Sequence, residues 1–534
     1  MRRSASILLP LDVDAKSGAA LHRQVYRELA RLILAGRLAP RSRLPSSREL
    51  ARELGVARNT ILSALDQLAS EGYVEGRRGS GTYVAADLPD KTPLTAEDPA
   101  PRHSAPRAAP APTLASRAAP LIQARLAPPR RSGLLAPGLA DVGEFPFEVW
   151  ARLLARSWRR PARALATGGS PGGLPALRQA IADYLRLLRG VRCEAEQVII
   201  VSGTRQGLDL AARLLLEPGE VAWLENPGFP GLRGPLIAAG AKLVPLPVDM
   251  EGLDLSKAGK LARPRLICVT PSHQFPLGMT MSLARRLALL DRARADNAWI
   301  FEDDYDSEWR YRGRPLAALQ GLDSDGRVIY AGSFSKVLFA SLRIGYLVVP
   351  RPVLEAFLAA RATLDDQPSL IAQPALAAFL SEGHFASYLR RQRRIYRARQ
   401  ERALASAERH LAGLLEVPAD AGGLHLIGYL APDLARRMDD REASRRAAAR
   451  GIAVPPLSDY WIGRPQRQGL MLGYATLPEP AIEPAMERLA QALRNPPTQN
   501  PSRPPTTRCE AGSRLLASSQ QPRSRRGSRA GSSA

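Results

Sequence analysis

The sequence predicts an α/β protein of two domains. A large domain carries a mostly parallel sheet with helices on both faces, and a small unit of three helices and a hairpin precedes it. Three observations support this. The chain has 534 residues, too many for one hydrophobic core. From about residue 132 to 495, short β-rich runs alternate with amphipathic helical stretches, the pattern of strands joined by helical crossovers. Between that region and the first 85 residues lies a stretch rich in Pro and Ala, without apolar periodicity.

Within residues 1–85, Leu21, Val25, Leu29, Leu32 and Ile33 recur at helical spacing. Ser46 and Glu49 match a capping box, so a second helix starts there, with Leu50 and Leu54 apolar and Gly55 at its end. A third helix opens at Val56-Ala-Arg-Asn-Thr60, with Ile61, Leu65 and Leu68 inward. Two short helices around a Gly-containing turn form a helix-turn-helix. Arg58, Asn59 and Thr60 stand in the first turn of its second helix, where base edges are read. Tyr73 to Val84 reads as a hairpin with a basic, Gly-rich tip.

This stretch resembles the GntR-type winged helix-turn-helix over about residues 19–85. Leu44-Pro-Ser-Ser-Arg-Glu-Leu50, Arg58-Asn-Thr60 and Gly79-Ser-Gly-Thr-Tyr-Val84 stand in order. The resemblance implies double-stranded operator DNA as partner, contacted by Arg48, Arg58, Thr60 and, in the wing, Arg78 and Gly79. Ala57 departs from the family, which often has Ser there; Ala cannot cap the third helix. The competing reading is a three-helix protein-binding module.

Residues 86–131 are expected to form an extended, semi-rigid linker. In residues 132–495 the clearest strands are Val198–Val201, Leu266–Val269, Trp299–Phe301 and Val328–Tyr330. Residues 496–534, rich in Ser, Arg and Pro, read as a disordered basic tail.

Only six of the 75 basic residues are lysine. One of them, Lys336, closes the hydroxyl-rich turn Gly332-Ser-Phe-Ser-Lys336. Lysine can form a Schiff base and arginine cannot. The expectation is a lysine holding pyridoxal 5'-phosphate (PLP). Such a site also needs a carboxylate for the pyridine nitrogen, a donor for the phenolic oxygen and backbone N–H groups with an arginine for the phosphate. Asp303 stands at a strand end, and Tyr305 two residues on. Ser202-Gly203-Thr204 follows a strand and opens a helix. Ser333, Ser335 and Arg343 surround Lys336, and Phe229 can stack on a ring. Singly each is weak: Asp303 alone reads as a turn carboxylate and Phe229 alone as core.

Their order resembles fold-type I, class I/II aminotransferases over roughly residues 132–495. The resemblance assigns Lys336 as the aldimine lysine, Asp303 as the pyridinium partner and Tyr305 as the phenolic-oxygen donor. It gives Arg343, Ser333 and the Gly203-Thr204 turn to the phosphate, with Phe229 stacking. Two departures stand out. Phe275-Pro-Leu-Gly278 replaces the usual Asn-Pro-Thr-Gly, leaving His273 or Gln274 as substitute donors, with a plain loop role for His273 as the alternative. The strand at Leu470–Tyr474 lacks the usual substrate-carboxylate arginine; Arg464 and Arg467 precede it.

A GntR-type reader joined to such a domain resembles the MocR/GabR family of transcription regulators. The family implies a homodimer, commonly head-to-tail, in which PLP, with a small amine or amino acid, changes how two readers are spaced on operator half-sites. Aldimine exchange at Lys336 is a means of such sensing that requires no turnover, and the two departures weigh against enzymatic turnover beyond a residual half-reaction. The alternatives are an active aminotransferase that also binds DNA and a PLP-free dimerisation platform. The net charge of +24 favours a polyanion partner. No apolar run is long enough to span a membrane, and Ile7-Leu-Leu9 is too short for a signal peptide. Three cysteines without metal-ligand spacing fit a reducing cytoplasm.

Overall fold

The computed structural model describes residues 11, 13–14, 17–77, 80–88, 114–115, 118–124, 133–159, 165–313 and 317–494. Arg78, Gly79, most of the expected linker and the whole tail 496–534 lie outside the described residues. The chain divides into two compact units, Met1–Pro112 and Thr113–Ala534.

The first unit comprises α1 (Leu21–Leu34), α2 (Ser47–Glu53), α3 (Arg58–Ser70) and the antiparallel pair β1 (Val74–Arg77) and β2 (Gly81–Val84). The expected capping box is formed: Ser46 Oγ accepts from Glu49 N, and Glu49 Oε2 accepts from Ser46 N at 2.8 Å. Gly55 ends the turn at φ +63°, a conformation glycine adopts without a Cβ clash. Val25, Leu29, Leu32 and Ile33 of α1 pack against Leu50, Ile61, Leu65 and Leu68 and are closed by Val74 and Val84. Each such side chain contributes roughly 1.5–3 kcal/mol by leaving water. Leu21 lies at the rim, partly exposed.

In the second unit the helices are α4 (Ala118–Ala124), α5 (Phe147–Arg159), α6 (Pro175–Arg189), α7 (Thr204–Leu215), α8 (Arg233–Ala238), α9 (Leu283–Asp296), α10 (Arg351–Asp365), α11 (Gln373–Ser381) and α12 (His384–Leu411), followed by α13 (Pro432–Arg437), α14 (Asp440–Ala448) and α15 (Glu479–Arg494). The main sheet holds β3 (Val198–Val201), β4 (Val221–Asn226), β5 (Lys242–Asp249), β6 (Gly252–Leu253), β7 (Leu266–Val269), β8 (Trp299–Asp304), β9 (Val328–Ser333) and β10 (Gly345–Val348), in the order β3-β10-β9-β8-β7-β4-β5-β6. A second, antiparallel sheet has the order β11 (Leu415–Glu416), β12 (His425–Leu430), β13 (Gly469–Gly473). α4 falls inside the stretch expected to be extended. Three of its seven residues are alanine, the strongest helix former, which the Pro-rich reading of the linker overlooked.

Both faces of the main sheet are buried, as side-chain alternation requires of a helix-covered sheet. Val198 and Ile200 join one core, and Ile199 and Val201 the other. Tyr346 and Leu347 of β10 divide in the same way. The strands β9-β8-β7-β4-β5 are parallel, but β10 runs antiparallel to both β3 and β9. The sheet is therefore mixed. This reversal positions the site. The parallel strands end at one edge, and β10 begins at that same edge, with Gly345 opposite both Ser333 and Val201.

Candidate cofactor cavity and DNA-reading face

A cavity of about 870 Å³ opens at that edge, where open α/β sheets place ligands. Of the residues expected around a cofactor, Lys336, Asp303, Tyr305, Arg343, Ser333, Ser335, Gly203, Thr204 and Phe229 all line it. They come from strand ends far apart in sequence, so the sheet alone brings them together.

Strand β8 ends in three consecutive carboxylates, and the pleat sorts them. Glu302 accepts from the backbone N–H groups of Leu319 and Gln320, at 2.8 and 2.9 Å. Asp304 meets Arg189 at 2.9 Å and Tyr330 at 2.5 Å in the core. Asp303 points to the opposite face and lines the cavity. It is buried, and its Oδ1 has no hydrogen-bond partner among the described residues. Burial, reinforced by Asp304, pushes its pKa up to about 7 against the opposing pull of Lys336. A buried carboxylate oxygen without a donor is costly. A protonated ring nitrogen bound there would supply the missing donor.

Lys336 donates from Nζ to the Gly138 carbonyl oxygen at 2.7 Å. Around it, Ser335 Oγ is buried without a partner among the described residues, and Ser335 N donates to Ser333 Oγ at 3.2 Å. Gly203 caps α7 at φ +132°, closed to L side chains, and offers no side-chain cap to the N–H groups of the first turn. Those donors face the cavity through Thr204. Arg343, in the left-handed region at φ 51°, turns its guanidinium over the same turn, with Nη1 3.6 Å from where a Gly203 Cβ would sit. A helix N-terminus facing an arginine is an anion site. The orphaned Asp303 oxygen, the lysine and this anion cradle fit the three chemical ends of PLP.

Neither substitute donor takes the place of the missing Asn. Phe275 lines the cavity instead, edge-on to Phe229 at 5.4 Å. Gln274 is buried and donates to the carbonyl oxygens of Pro227 and Phe275, each at 2.8 Å, tying two loops together. His273 is buried behind Tyr305, with Nδ1 3.0 Å from Tyr305 Oη. Arg464 and Arg467 do not line the cavity. Arg467 pairs with Glu416 at 2.8 Å and covers the Tyr429 ring. Besides Arg343, the arginines that line it are Arg205, Arg441 and Arg445. Arg205 follows the expected turn directly and was legible from that position. Arg441 and Arg445 lie one turn apart on α14 in an arginine-rich run, where no signal separates them from a solvated face.

On the first unit, Arg48, Arg58 and Asn59 are exposed and Thr60 is half-buried. Arg58 is the first residue of α3, and its Nε donates to Ser47 Oγ at 3.3 Å, bridging the two helices of the motif. Arg48 sits exposed in the first turn of α2, where a guanidinium suits a DNA phosphate. Ala57 caps α3 without any side-chain bond, as expected.

The model for aminotransferase class I and II matches residues 139–489, and that for bacterial regulatory proteins of the gntR family matches residues 21–84. The chain is 44% identical over 489 residues to the probable rhizopine catabolism regulatory protein MocR of Rhizobium meliloti, covering 91% of this chain and 96% of that one. It is 32% identical over 492 residues to the HTH-type pyridoxine biosynthesis transcriptional regulator PdxR of Corynebacterium glutamicum, covering 91% and 98%. Among solved structures it is similar to LysN, the α-aminoadipate aminotransferase of Thermus thermophilus, complexed with N-(5'-phosphopyridoxyl)-L-leucine. That match has 28% identity and a TM-score of 0.62, over 71% of this chain and 94% of LysN. With a GntR-type reader and a class I/II aminotransferase fold matched in one chain, and relatives of the same full-length build, the protein belongs to the MocR/GabR family of transcription regulators.

Proposed function

We propose that this transcription regulator holds PLP at Lys336 and reads a small amine or amino acid there, converting that event into a change in operator binding by a head-to-tail homodimer. The observation that carries the reading is the meeting of Lys336, the orphaned Asp303 oxygen and the Gly203–Arg343 cradle in one cavity of a chain that also presents Arg58 and Asn59 for DNA. When bound, PLP supplies an aldehyde carbon for which primary amines compete with the lysine.

The remaining roles belong to the chain. Asp303 holds a proton on the ring nitrogen. The first-turn N–H groups of α7, with Ser333, Ser335 and Arg343, hold the phosphate, and Phe229 walls the ring. Tyr305 would donate a hydrogen bond to the phenolic oxygen and keep its proton. Lys336, now bonded to the Gly138 carbonyl, would be the residue that holds the cofactor. Arg205, Arg441 and Arg445 at the cavity wall favour an effector that carries a carboxylate as well as an amine. Phe275 in place of a donor, and Met471 as the cavity residue of β13, support sensing over turnover.

A ligand shifts a conformational equilibrium only by its differential affinity for the two states. The test is therefore direct. The purified chain with PLP shows a near-visible absorption that Lys336→Ala abolishes, and amines and amino acids are screened for those that change both that absorption and operator footprinting. Rhizopine belongs in the screen, since the 44% identical relative is named for its catabolism. A wild-type spectrum indistinguishable from that of Lys336→Ala rejects the reading.

A further inference from the structure

Behind Tyr305 lies a buried polar cluster that the cofactor reading does not use. His273 Nδ1 is 2.9 Å from Asp306 Oδ2 and 3.0 Å from Tyr305 Oη, while its Nε2 is 2.9 Å from Asp420 Oδ2. His273 follows β7, Tyr305 and Asp306 follow β8, and Asp420 stands five residues before β12 of the C-terminal sheet. The cluster is built, not incidental. A Cβ on Gly278 would collide with the Asp420 carboxylate, and one on Gly423 would sit 2.5 Å from the His273 ring. Only glycine at both positions leaves room for it.

We infer that His273 is a positioning residue for Tyr305, tying that hydroxyl to Asp420 and so joining the cofactor edge of the main sheet to the C-terminal sheet. The inference rests on the cofactor reading above and concerns the same cavity.

The charges fix the direction of the bonds. Burial alone would lower the His273 pKa, but Asp306 and Asp420 on its two nitrogens outweigh it and hold it well above the ordinary histidine value. Both ring nitrogens then carry protons, and Nδ1 donates to Asp306 and to the Tyr305 oxygen. The neighbouring His425 is pushed the other way, chiefly by burial, and donates from Nε2 to the Pro276 carbonyl at 2.9 Å. Burial, with Asp306, Asp420 and Asp303 nearby, keeps Tyr305 a phenol. An oxygen that accepts from His273 has its own proton left to give, to Asp306 or to an acceptor in the cavity. Asp420 completes the arrangement across the two sheets, and its Oδ1 accepts from Gly422 N at 3.2 Å.

The experiment follows the near-visible absorption of the full-length protein saturated with PLP, titrated from about pH 5 to 9. A donor to the ionised phenolic oxygen lowers its proton affinity, so losing the donor moves the midpoint up. Tyr305→Phe is expected to raise it. His273→Gln is expected to raise it by about half a unit or more, roughly threefold in the proton equilibrium. Combined with Tyr305→Phe, His273→Gln is expected to add nothing, because it acts through the tyrosine. A role confined to stability would leave the midpoint alone, or shift it equally in both backgrounds, and either result overturns the inference. Asp420→Asn keeps the shape of the cluster and serves if His273→Gln does not fold. It should raise the midpoint in the same sense, and an unmoved midpoint overturns the link. No Lys336-dependent absorption in the wild-type chain would overturn the cofactor reading itself, and this inference with it.

Discussion

Lys336 Nζ and the Gly138 carbonyl oxygen, 198 residues apart in sequence, are joined by a 2.7 Å hydrogen bond across the mouth of the cavity. Gly138 stands at φ +77° in the segment that leads into the second unit's core, and a Cβ there would come within 3.2 Å of the lysine nitrogen. The amine is thus parked on backbone and oriented before any ligand arrives.

The anion cradle depends on the backbone at Gly203. Alanine cannot adopt φ +132° without strain, so Gly203→Ala should turn the first-turn N–H groups of α7 out of line. PLP affinity should fall by about tenfold or more, equivalent to about 1.4 kcal/mol. Spectral titration with PLP reads this, and an unchanged affinity would show that the phosphate binds elsewhere.

Stability without cofactor should depend on pH through the buried carboxyls. Asp303, Glu225, Glu302 and Glu308 all have pKa values pushed up to about 7, chiefly by burial. The folded chain then holds protons that the unfolded chain has released between roughly pH 4 and 7, so stability against unfolding falls as pH rises through that window. The loss is on the order of a kcal/mol or more per group, and Asp303→Asn should remove one group's share and make the slope shallower. Urea midpoints across that window for both proteins decide the matter. Parallel curves would mean that Asp303 does not carry the charge cost assigned to it.

DNA reading and cofactor holding should separate by mutation. Arg58→Ala removes an exposed guanidinium from the first turn of α3 and should abolish specific operator binding, while the PLP absorption stays as in wild type. Arg48→Ala should instead weaken binding to all sequences alike and reduce its salt dependence. Footprinting at several salt concentrations distinguishes the two, and an intact footprint for Arg58→Ala would displace α3 as the recognition helix.

The uncapped start of α3 gives a stabilising substitution. Ala57 has extended backbone at φ −64°, ψ 142°, the conformation of a cap, but no side-chain acceptor. Ala57→Ser should stabilise the first unit by about 1 kcal/mol, and Ser46→Ala, which breaks the capping box of α2, should cost a similar amount. Denaturant unfolding followed by helical circular dichroism checks both signs.

Much of this was legible in the sequence because it is local. The capping box needs only Ser46 and Glu49, and the strand–turn–helix at Val198–Thr204 needs seven consecutive residues. Asp303 was legible as a carboxylate at a strand end; that it, and not Glu302 or Asp304, meets the cavity follows from the alternation of side chains along β8. What stayed hidden is non-local. The direction of β10 cannot be read from Gly345–Val348, since a buried strand has the same composition in either sense. The pairing of His273 with Asp420 spans 147 residues, so His273 read alone resembles a polar loop residue. Arg441 and Arg445 became cavity residues only when α14 was placed against the site.

The reversed strand has one more consequence. Lys336 and Arg343 ride on a single short hairpin, pinned at both ends where Ser333 faces Gly345. For a cofactor held at both residues, the reach from its carbon at the amine to its anion would therefore be measured out by one stretch of backbone, as by a ruler. Pyridoxal lacking its phosphate would leave the far mark of that ruler unread, and a longer insertion between the two residues would recalibrate it for a different molecule.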